Sequence, residues 1–261
     1  MADNFIQVFV FVFGAVVGSF LNVVILRLPS EEESIVFPAS RCPGCGKKLK
    51  WYDNIPIVSF ILLMARCRYC KQPISWQYPA VELAMGLLSL ALFHRFFISV
   101  SFLGYFVFCA ALLVIIFIDV YHQIIPDVIS IPGIILGFGF SFFTDFVTWK
   151  DSGIGLLAGG GTLYAVAAGY YLLTKREGMG GGDIKLLGML GAFLGWQSLP
   201  FVILGSSLTG TVVGIGAMVK QGKGGKSVIP FGPFLALAGM AYLFFKERIW
   251  YFLLEPLSRI Q

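Results

Sequence analysis

Long uncharged apolar runs constrain this chain more than any other feature of its sequence. A helix that crosses a bilayer needs about 20 apolar residues, each adding about 1.5 Å of rise. Hydrophobic residues make up 57% of the chain and charged residues 13%, which leaves too little polar surface to cover a soluble globule. The chain is therefore predicted to be an integral membrane protein. Its uncharged runs cover residues 5–26, 96–118, 128–144, 152–174, 186–219 and 227–245, and a shorter one covers 83–93.

The run over residues 186–219 is too long for one comfortable span. It is expected to fold back within the segment 195–200, which contains Gly195, Trp196 and Pro200. The fold class that follows is an all-α polytopic membrane protein with about eight transmembrane helices and a small lobe outside the bilayer.

The distribution of basic residues predicts the orientation of the chain. If Arg27 begins a cytoplasmic loop, the cytoplasmic side collects all but five of the 19 Lys and Arg residues, as the positive-inside rule requires. The lobe then faces the cytoplasm and both termini lie outside it. The net charge of +5 is explained by topology, and no nucleic-acid partner is expected. The five exceptions are Arg95, Lys150, Lys246, Arg248 and Arg259.

Two Cys-x-x-Cys motifs lie in the polar segment 29–78, which is expected to form the lobe between a first helix, 1–28, and a membrane core, 79–261. The spacing is close to that of a four-cysteine tetrahedral zinc site. Two disulfides are the alternative, although a cytoplasmic lobe is reducing. Four thiolates leave no open position, so the zinc is expected to be structural. The cysteines are Cys42, Cys45, Cys67 and Cys70, whereas Cys109 lies in an apolar run and is expected to be a buried small hydrophobe.

Asp119 ends an apolar run, at the end of a helix where a carboxylate opposes the macrodipole. An ionisable group at a bilayer boundary is costly, which favours a functional role. Asp127 follows Pro126 before the next helix, and capping of that helix is sufficient to explain it.

Asp183 follows a glycine run, Gly178-Met179-Gly180-Gly181-Gly182, at the start of another apolar segment. A flexible connector is the simplest explanation of such a run. Glycines also let a backbone approach a peptide closely and adopt positive φ, and here they deliver Asp183 and Lys185 to the positive end of a helix. Lys185 is a candidate to orient one carboxylate.

Glu82 lies shortly after Pro79, where a membrane helix is expected to begin. It is either an acid that favours the positive helix end or a group with a binding or catalytic role. In the first helix Gly14, Gly18 and Asn22 recur at helical spacing, which predicts close helix packing and an interhelical hydrogen bond. The run Gly159-Gly160-Gly161 is likewise expected to form a packing surface.

Two aspartates on one membrane face suit peptide hydrolysis. Close carboxylates cannot both ionise easily, so one acts as a base and the other as an acid. The base activates a water molecule, and the acid protonates the leaving amine.

Taken together, these motifs resemble those of bacterial type IV prepilin peptidases over nearly the whole chain. The matching segments are Gly18-Ser19-Phe20-Leu21-Asn22-Val23 with Arg27-Leu28-Pro29, both Cys-x-x-Cys motifs, Asn54-Ile55-Pro56, Tyr78-Pro79 with Val81-Glu82-Leu83, Asp119 with Pro126-Asp127, the glycine run with Asp183 and Lys185-Leu186-Leu187, and Pro230-Phe231-Gly232-Pro233.

The resemblance implies a bifunctional enzyme of the bacterial inner membrane. Asp119 and Asp183 would be the aspartic protease pair that removes the basic leader of type IV prepilins and pseudopilins, with Gly180, Gly182, Lys185 and Asp127 in support. An N-methyltransferase activity would use S-adenosylmethionine as donor, with Glu82 implicated and the donor site otherwise unassigned. The four cysteines would hold zinc, as in the methylating members of the family.

Two other functions remain compatible with parts of the sequence. One is an intramembrane Gly-x-Gly-Asp aspartic protease without methylation, which leaves the four cysteines unexplained. The other is a transporter or assembly scaffold, although the chain lacks a recognisable inverted repeat. Membrane lipid is an expected partner of all three, and the sequence is silent on oligomeric state.

Overall fold

The fold is helical throughout the part of the chain that the computed structural model describes, residues 2–30, 34–35, 37, 39–176, 180–221 and 229–258. Within those residues no β-strand forms, and extended pairing is limited to two isolated bridges, Arg41 to Lys48 and Arg66 to Pro73. The α-helices are α1 Ala2–Arg27, α2 Val58–Leu62, α3 Gln77–Phe96, α4 Val100–His122, α5 Asp127–Phe140, α6 Trp149–Thr174, α7 Gly181–Leu194, α8 Leu199–Gln221 and α9 Gly232–Ser258.

Five segments in the described residues are long and apolar enough to cross a membrane. They confirm the prediction of a polytopic helical membrane protein. The expected break after α7 is also present, because Gly195 adopts a positive φ of 81° and a 3₁₀ turn, Trp196–Ser198, precedes α8. Glycine reaches that conformation without a steric penalty. The five segments are Asn4–Arg27, Gln77–Phe96, Val100–His122, Trp149–Thr174 and Trp196–Val219.

The chain forms two compact units, Met1–Ile118 and Asp119–Gln261. In the first unit, α1 packs closely on α3. A Cβ added at Gly14 would lie 2.6 Å from Ser89 Cβ, and one added at Gly18 would lie 2.8 Å from Glu82 Cα. Asn22 Nδ2 donates to the Tyr78 carbonyl at 3.1 Å. The packing face and the interhelical hydrogen bond predicted for the first helix are therefore confirmed.

In the second unit, α7 is the most buried helix, with residues 186–194 all buried. Its backbone meets that of α6 where Gly191 faces Gly155, and a Cβ on either glycine would overlap the other's backbone. Ser152 Oγ on α6 donates to the Ala192 carbonyl at 2.6 Å. This packing gives the residues at the start of α7 a rigid base.

The packing surface predicted at residues 159–161 is confirmed only in part. A Cβ on Gly159 would lie 2.6 Å from the Leu187 carbonyl oxygen, so this glycine does admit α7. A Cβ on Gly160 would approach only the Ile184 carbonyl oxygen, at 3.8 Å. A Cβ on Gly161 would meet no atom of the described residues within 4 Å. Successive helical residues point in different directions, so one interface uses only part of a glycine run.

Candidate functional site

Asp119 lies near the end of α4 and is 5% exposed. Its carboxylate lies against the backbone of Gly232, the first residue of α9, and the Gly232 N–H favours its negative charge. The free N–H groups and the dipole at a helix N-terminus favour a negative charge there. The start of α9 therefore stabilises an acid whose own helix end is unfavourable.

Asp183 is half-buried in the first turn of α7, and its backbone N–H donates to the Gly180 carbonyl at 3.3 Å. It lies close enough to Asp119 for their charges to repel each other directly. The structure thus brings together the two aspartates that the sequence singled out. Repulsion between the two charges favours a state in which one carboxyl keeps its proton, which suits one to act as a base and the other as an acid.

Ile125 packs against the two glycines that adjoin this aspartate pair, Gly182 and Gly232. A Cβ added at Gly182, next to Asp183, would lie 2.9 Å from Ile125 Cβ, and one added at Gly232 would lie 3.0 Å from Ile125 Cδ1. Neither Ile125 nor Gly232 was predicted to contribute to the site. The sequence signal for Gly232 was its position in Pro230-Phe231-Gly232-Pro233, whereas an apolar Ile125 carries no such signal.

Lys185 binds Asp127, with Nζ 2.7 Å from each carboxylate oxygen. The prediction that Asp127 caps α5 is wrong, because Pro126 is the N-cap residue and no side-chain hydrogen bond caps the start of the helix. Asp127 is the first helical residue, and its carboxylate is held by Lys185 across 58 positions of sequence. The pair ties the start of α5 to the first turn of α7, close to Asp183.

The glycine run begins outside the described residues, which exclude Gly178 and Met179. Positive φ was expected in the run, but Gly180 has a φ of −71° and Gly181 and Gly182 are helical. A Cβ added at Gly180 or Gly181 would meet no atom of the described residues within 4 Å, whereas Gly182 is tight against Ile125. Among the described glycines of the run, only Gly182 is required to be small by contacts within the protein.

The four predicted cysteines form one cluster, with all sulfur atoms within 4.8 Å of one another. The Sγ atoms of Cys42 and Cys70 are 3.7 Å apart, and all four cysteines are free thiols, so the disulfide alternative is not supported. Tetrahedral zinc with Zn–S bonds of about 2.3 Å places its sulfurs about 3.8 Å apart. The donor set and its spacing fit a zinc ion.

The two Cys-x-x-Cys turns have the same pattern of backbone hydrogen bonds. Cys42 N–H donates to the Lys47 carbonyl and Cys67 N–H to the Gln72 carbonyl, at 3.0 and 2.8 Å. Hydrogen bonds from the backbone N–H groups of Cys70 and Tyr69 lower the pKa of Cys67 to about 6. Such donors favour the thiolate, which is the form that binds metal.

Glu82 is buried in the first unit, and Oε2 accepts a hydrogen bond of 2.8 Å from the Ile57 N–H. Ser19 lies close to this carboxylate and favours its charged form. The helix-dipole interpretation was wrong, because α3 begins at Gln77 and has no acid in its first turn. Ile57 has a φ of 63°, an uncommon conformation for a β-branched residue. Glu82 therefore anchors a strained loop of the lobe to α3.

Cys109 is fully buried among apolar neighbours of α4, as expected for a small hydrophobe. It lies outside the four-cysteine cluster.

These features define a helical membrane protein with a pair of aspartates, one buried and one half-buried, in one compact unit and a four-cysteine cluster in the other. Residues 12–96 match the bacterial peptidase A24 N-terminal domain, and residues 106–215 match the type IV leader peptidase family. The chain belongs to the type IV leader peptidase family.

Similar proteins named prepilin leader peptidase/N-methyltransferase occur in several bacteria. That of Aeromonas hydrophila is 38% identical over 93% of this chain and 92% of its own length. That of Pseudomonas putida is 36% identical over 92% and 90%. That of Burkholderia pseudomallei strain 1026b is 37% identical over 91% and 84%. No solved structure matches the chain significantly.

Proposed function

We propose that this protein removes the leader peptides of type IV prepilins and pseudopilins at the membrane and methylates the new N-terminal residue. The observation that carries the protease assignment is the pairing of a buried Asp119 with Asp183. The relatives named prepilin leader peptidase/N-methyltransferase support both activities.

Asp119 and Asp183 are the proposed catalytic residues. The ionised carboxylate takes a proton from water as the water oxygen attacks the scissile carbonyl carbon. The protonated carboxyl then gives its proton to the amide nitrogen as the C–N bond of the tetrahedral intermediate breaks, which releases the leader carboxylate and a free amine. Gly232 positions Asp119 through its N–H, while Gly180, Gly182 and the Lys185–Asp127 pair are proposed to support the first turn of α7.

Zn²⁺ is the proposed metal, held by Cys42, Cys45, Cys67 and Cys70. With four thiolate ligands it would be structural, and the free energy of metal binding would stabilise the lobe. The two backbone turns that present the sulfurs support this assignment.

S-adenosylmethionine is the proposed methyl donor, and when bound it supplies an electrophilic methyl group. The amine that accepts the methyl group must be uncharged, so a carboxylate near it can help by accepting a proton. Glu82 is the proposed group, because it is a buried acid in the unit that carries the cysteine cluster.

For the membrane arrangement we propose eight spans, adding α5, α7 and α9 to the five long apolar segments. The bacterial inner membrane is the proposed location, with the lobe in the cytoplasm and both termini in the periplasm. The distribution of Lys and Arg supports this orientation. The proposed parts are residues 1–28, a zinc lobe over 29–78 and a protease core over 79–261.

The test is incubation of the purified, zinc-loaded protein with a prepilin and isotopically labelled S-adenosylmethionine, followed by mass spectrometry of the product. We expect removal of the leader and a labelled methyl group on the new N-terminus. Cleavage without label would favour a Gly-x-Gly-Asp protease without methylation. Absence of both reactions would favour a transporter or scaffold.

The catalytic assignment is tested with Asp119→Asn and Asp183→Asn. Each is expected to lower the rate of cleavage by at least about 1,000-fold, as is common when one member of a catalytic pair is removed. Asp145→Asn is a matched control on an exposed aspartate of the same unit and should cleave normally. Retained cleavage in both Asp119 and Asp183 variants would refute the assignment.

A further inference from the structure

The first unit contains a cavity of about 780 Å³ that is lined by the cysteine lobe and by α1 and α3. Pockets for small molecules and cofactors usually measure about 300–1,000 Å³. All the residues that line it fall within the stretch from Ser19 to Glu82, so the cavity belongs to the first compact unit alone. Its wall combines spanning helices with the polar lobe.

Two carboxylates border the cavity from different sides. Glu82 reaches it from α3, and Asp53 reaches it from a 3₁₀ turn of the lobe, Trp51–Asn54. Arg27 and Arg68 also line the wall, as do the rings of Phe60 and Tyr78. The cavity thus contains acids that can bind a cation, guanidinium groups that can bind a carboxylate and aromatic rings that can contact a planar base.

Asp53 has an unsatisfied oxygen at this cavity. Its side chain is only 2% exposed, and Oδ1 is bound by Arg68 at 2.7 Å. Oδ2 has no hydrogen-bond partner among the residues that the structure describes. Gln77, which also lines the cavity, has an unpartnered buried Nε2. Buried polar atoms without partners are rare and costly, and bound ligands are one way of satisfying them.

The charges on the wall select among possible occupants. Three arginines line the cavity, Arg27, Arg41 and Arg68, against the two acids Asp53 and Glu82. A basic leader peptide would meet more like charge than opposite charge there. A zwitterion with a nucleobase matches the wall better, because it carries cationic groups, a carboxylate and a planar ring.

We propose that this cavity is the binding site for S-adenosylmethionine, with Asp53 and Glu82 facing its cationic groups. The proposal rests on the methyltransferase part of the proposed function and adds to it the place where the donor binds. It also gives the cysteine lobe a direct role, since the metal-stabilised turns form one wall of the site: Cys42 and Cys67 both line the cavity.

The first test measures binding without catalysis. Equilibrium dialysis of labelled S-adenosylmethionine against the full-length, zinc-loaded protein in detergent is expected to give one site per chain. Asp53→Asn and Glu82→Gln should each weaken binding by at least about tenfold, the loss expected when a charged hydrogen bond is removed. Asp145→Asn, outside the cavity, should bind normally.

A matched pair on α1 tests the location by shape. Val23 lines the cavity and its neighbour Val24 does not. Val23→Trp should therefore block binding, while Val24→Trp should leave it unchanged. Zinc content, measured by mass spectrometry for each variant, verifies that the lobe is intact.

A photoreactive azido analogue of S-adenosylmethionine tests the native sequence directly. Crosslinks that fall between residues 19 and 82, and that excess S-adenosylhomocysteine suppresses, would support the site. Crosslinks confined to residues 119–261, or normal binding by the Asp53, Glu82 and Val23 variants, would overturn it. If either contradicting result is obtained but the native protein still methylates cleaved pilin, only the proposed location of the site is wrong. If the native protein neither binds S-adenosylmethionine nor methylates cleaved pilin, the proposed methyltransferase function is wrong as well.

Discussion

The backbone of Gly232 lies against the carboxylate of Asp119, and the two residues are 113 positions apart in the chain. A Cβ added at Gly232 would lie 2.5 Å from Asp119 Oδ2. The close approach of α9 to the acid therefore depends on the missing side chain. This relationship gives a testable role to a residue that has no reactive group.

Gly232→Ala should lower kcat/KM for prepilin cleavage by at least about tenfold, because the methyl group would displace either Asp119 or the start of α9. The matched control is Gly216→Ala in α8, where a Cβ would meet no atom within 4 Å. The measurement is the initial rate of leader removal. Equal rates for the two variants would contradict the positioning role.

Gly182→Val should impair cleavage while the protein stays folded and zinc-loaded. The added side chain would collide with Ile125 and shift the first turn of α7, which carries Asp183. Gly181→Ala is the control, since a Cβ there meets no atom of the described protein within 4 Å. Thermal unfolding and zinc content separate this effect from loss of the fold, and normal cleavage by Gly182→Val would disprove it.

The Lys185–Asp127 pair should contribute more to cleavage than to stability. Both side chains are partly exposed, at 37% and 57%, and such pairs contribute only about 0–1 kcal/mol to stability. Lys185→Met should therefore leave Tm within about 3 °C but slow cleavage, because the start of α7 loses its tie to α5. The exchange Lys185→Asp with Asp127→Lys should recover part of the rate, and no recovery would argue against a positioning role for the pair.

Replacing Cys42 and Cys45 by Ser should release the zinc and abolish methylation. Cleavage should fall less, because Asp119 and Asp183 belong to the other compact unit. The control is Cys109→Ala, which alters a buried cysteine outside the cluster and should retain one zinc per chain. Metal content and the two activities are measured on the same samples; unchanged zinc content in the double variant would refute the four-cysteine site.

Local patterns were enough to predict the helical membrane class and the clustering of the four cysteines, and to single out the two aspartates as candidate site residues. Apolar run length follows directly from bilayer thickness, and Cys-x-x-Cys spacing follows from the geometry of one metal-binding turn. Asp119 and Asp183 stood out because each is an acid beside an apolar run, where a charge is costly. None of these predictions depends on which helices are neighbours in the fold.

The partners of those residues were decided only by the tertiary structure. The local sequence around Asp127 predicts a helix cap, but Asp127 binds Lys185, 58 positions away. The sequence around Glu82 leaves a dipole partner and a binding or catalytic group as alternatives, and only the fold shows its contact with Ile57. The sequence by itself determined which groups are chemically unusual, because composition and spacing are local. Packing decided what they touch, because contacts between distant segments depend on the fit of whole helices.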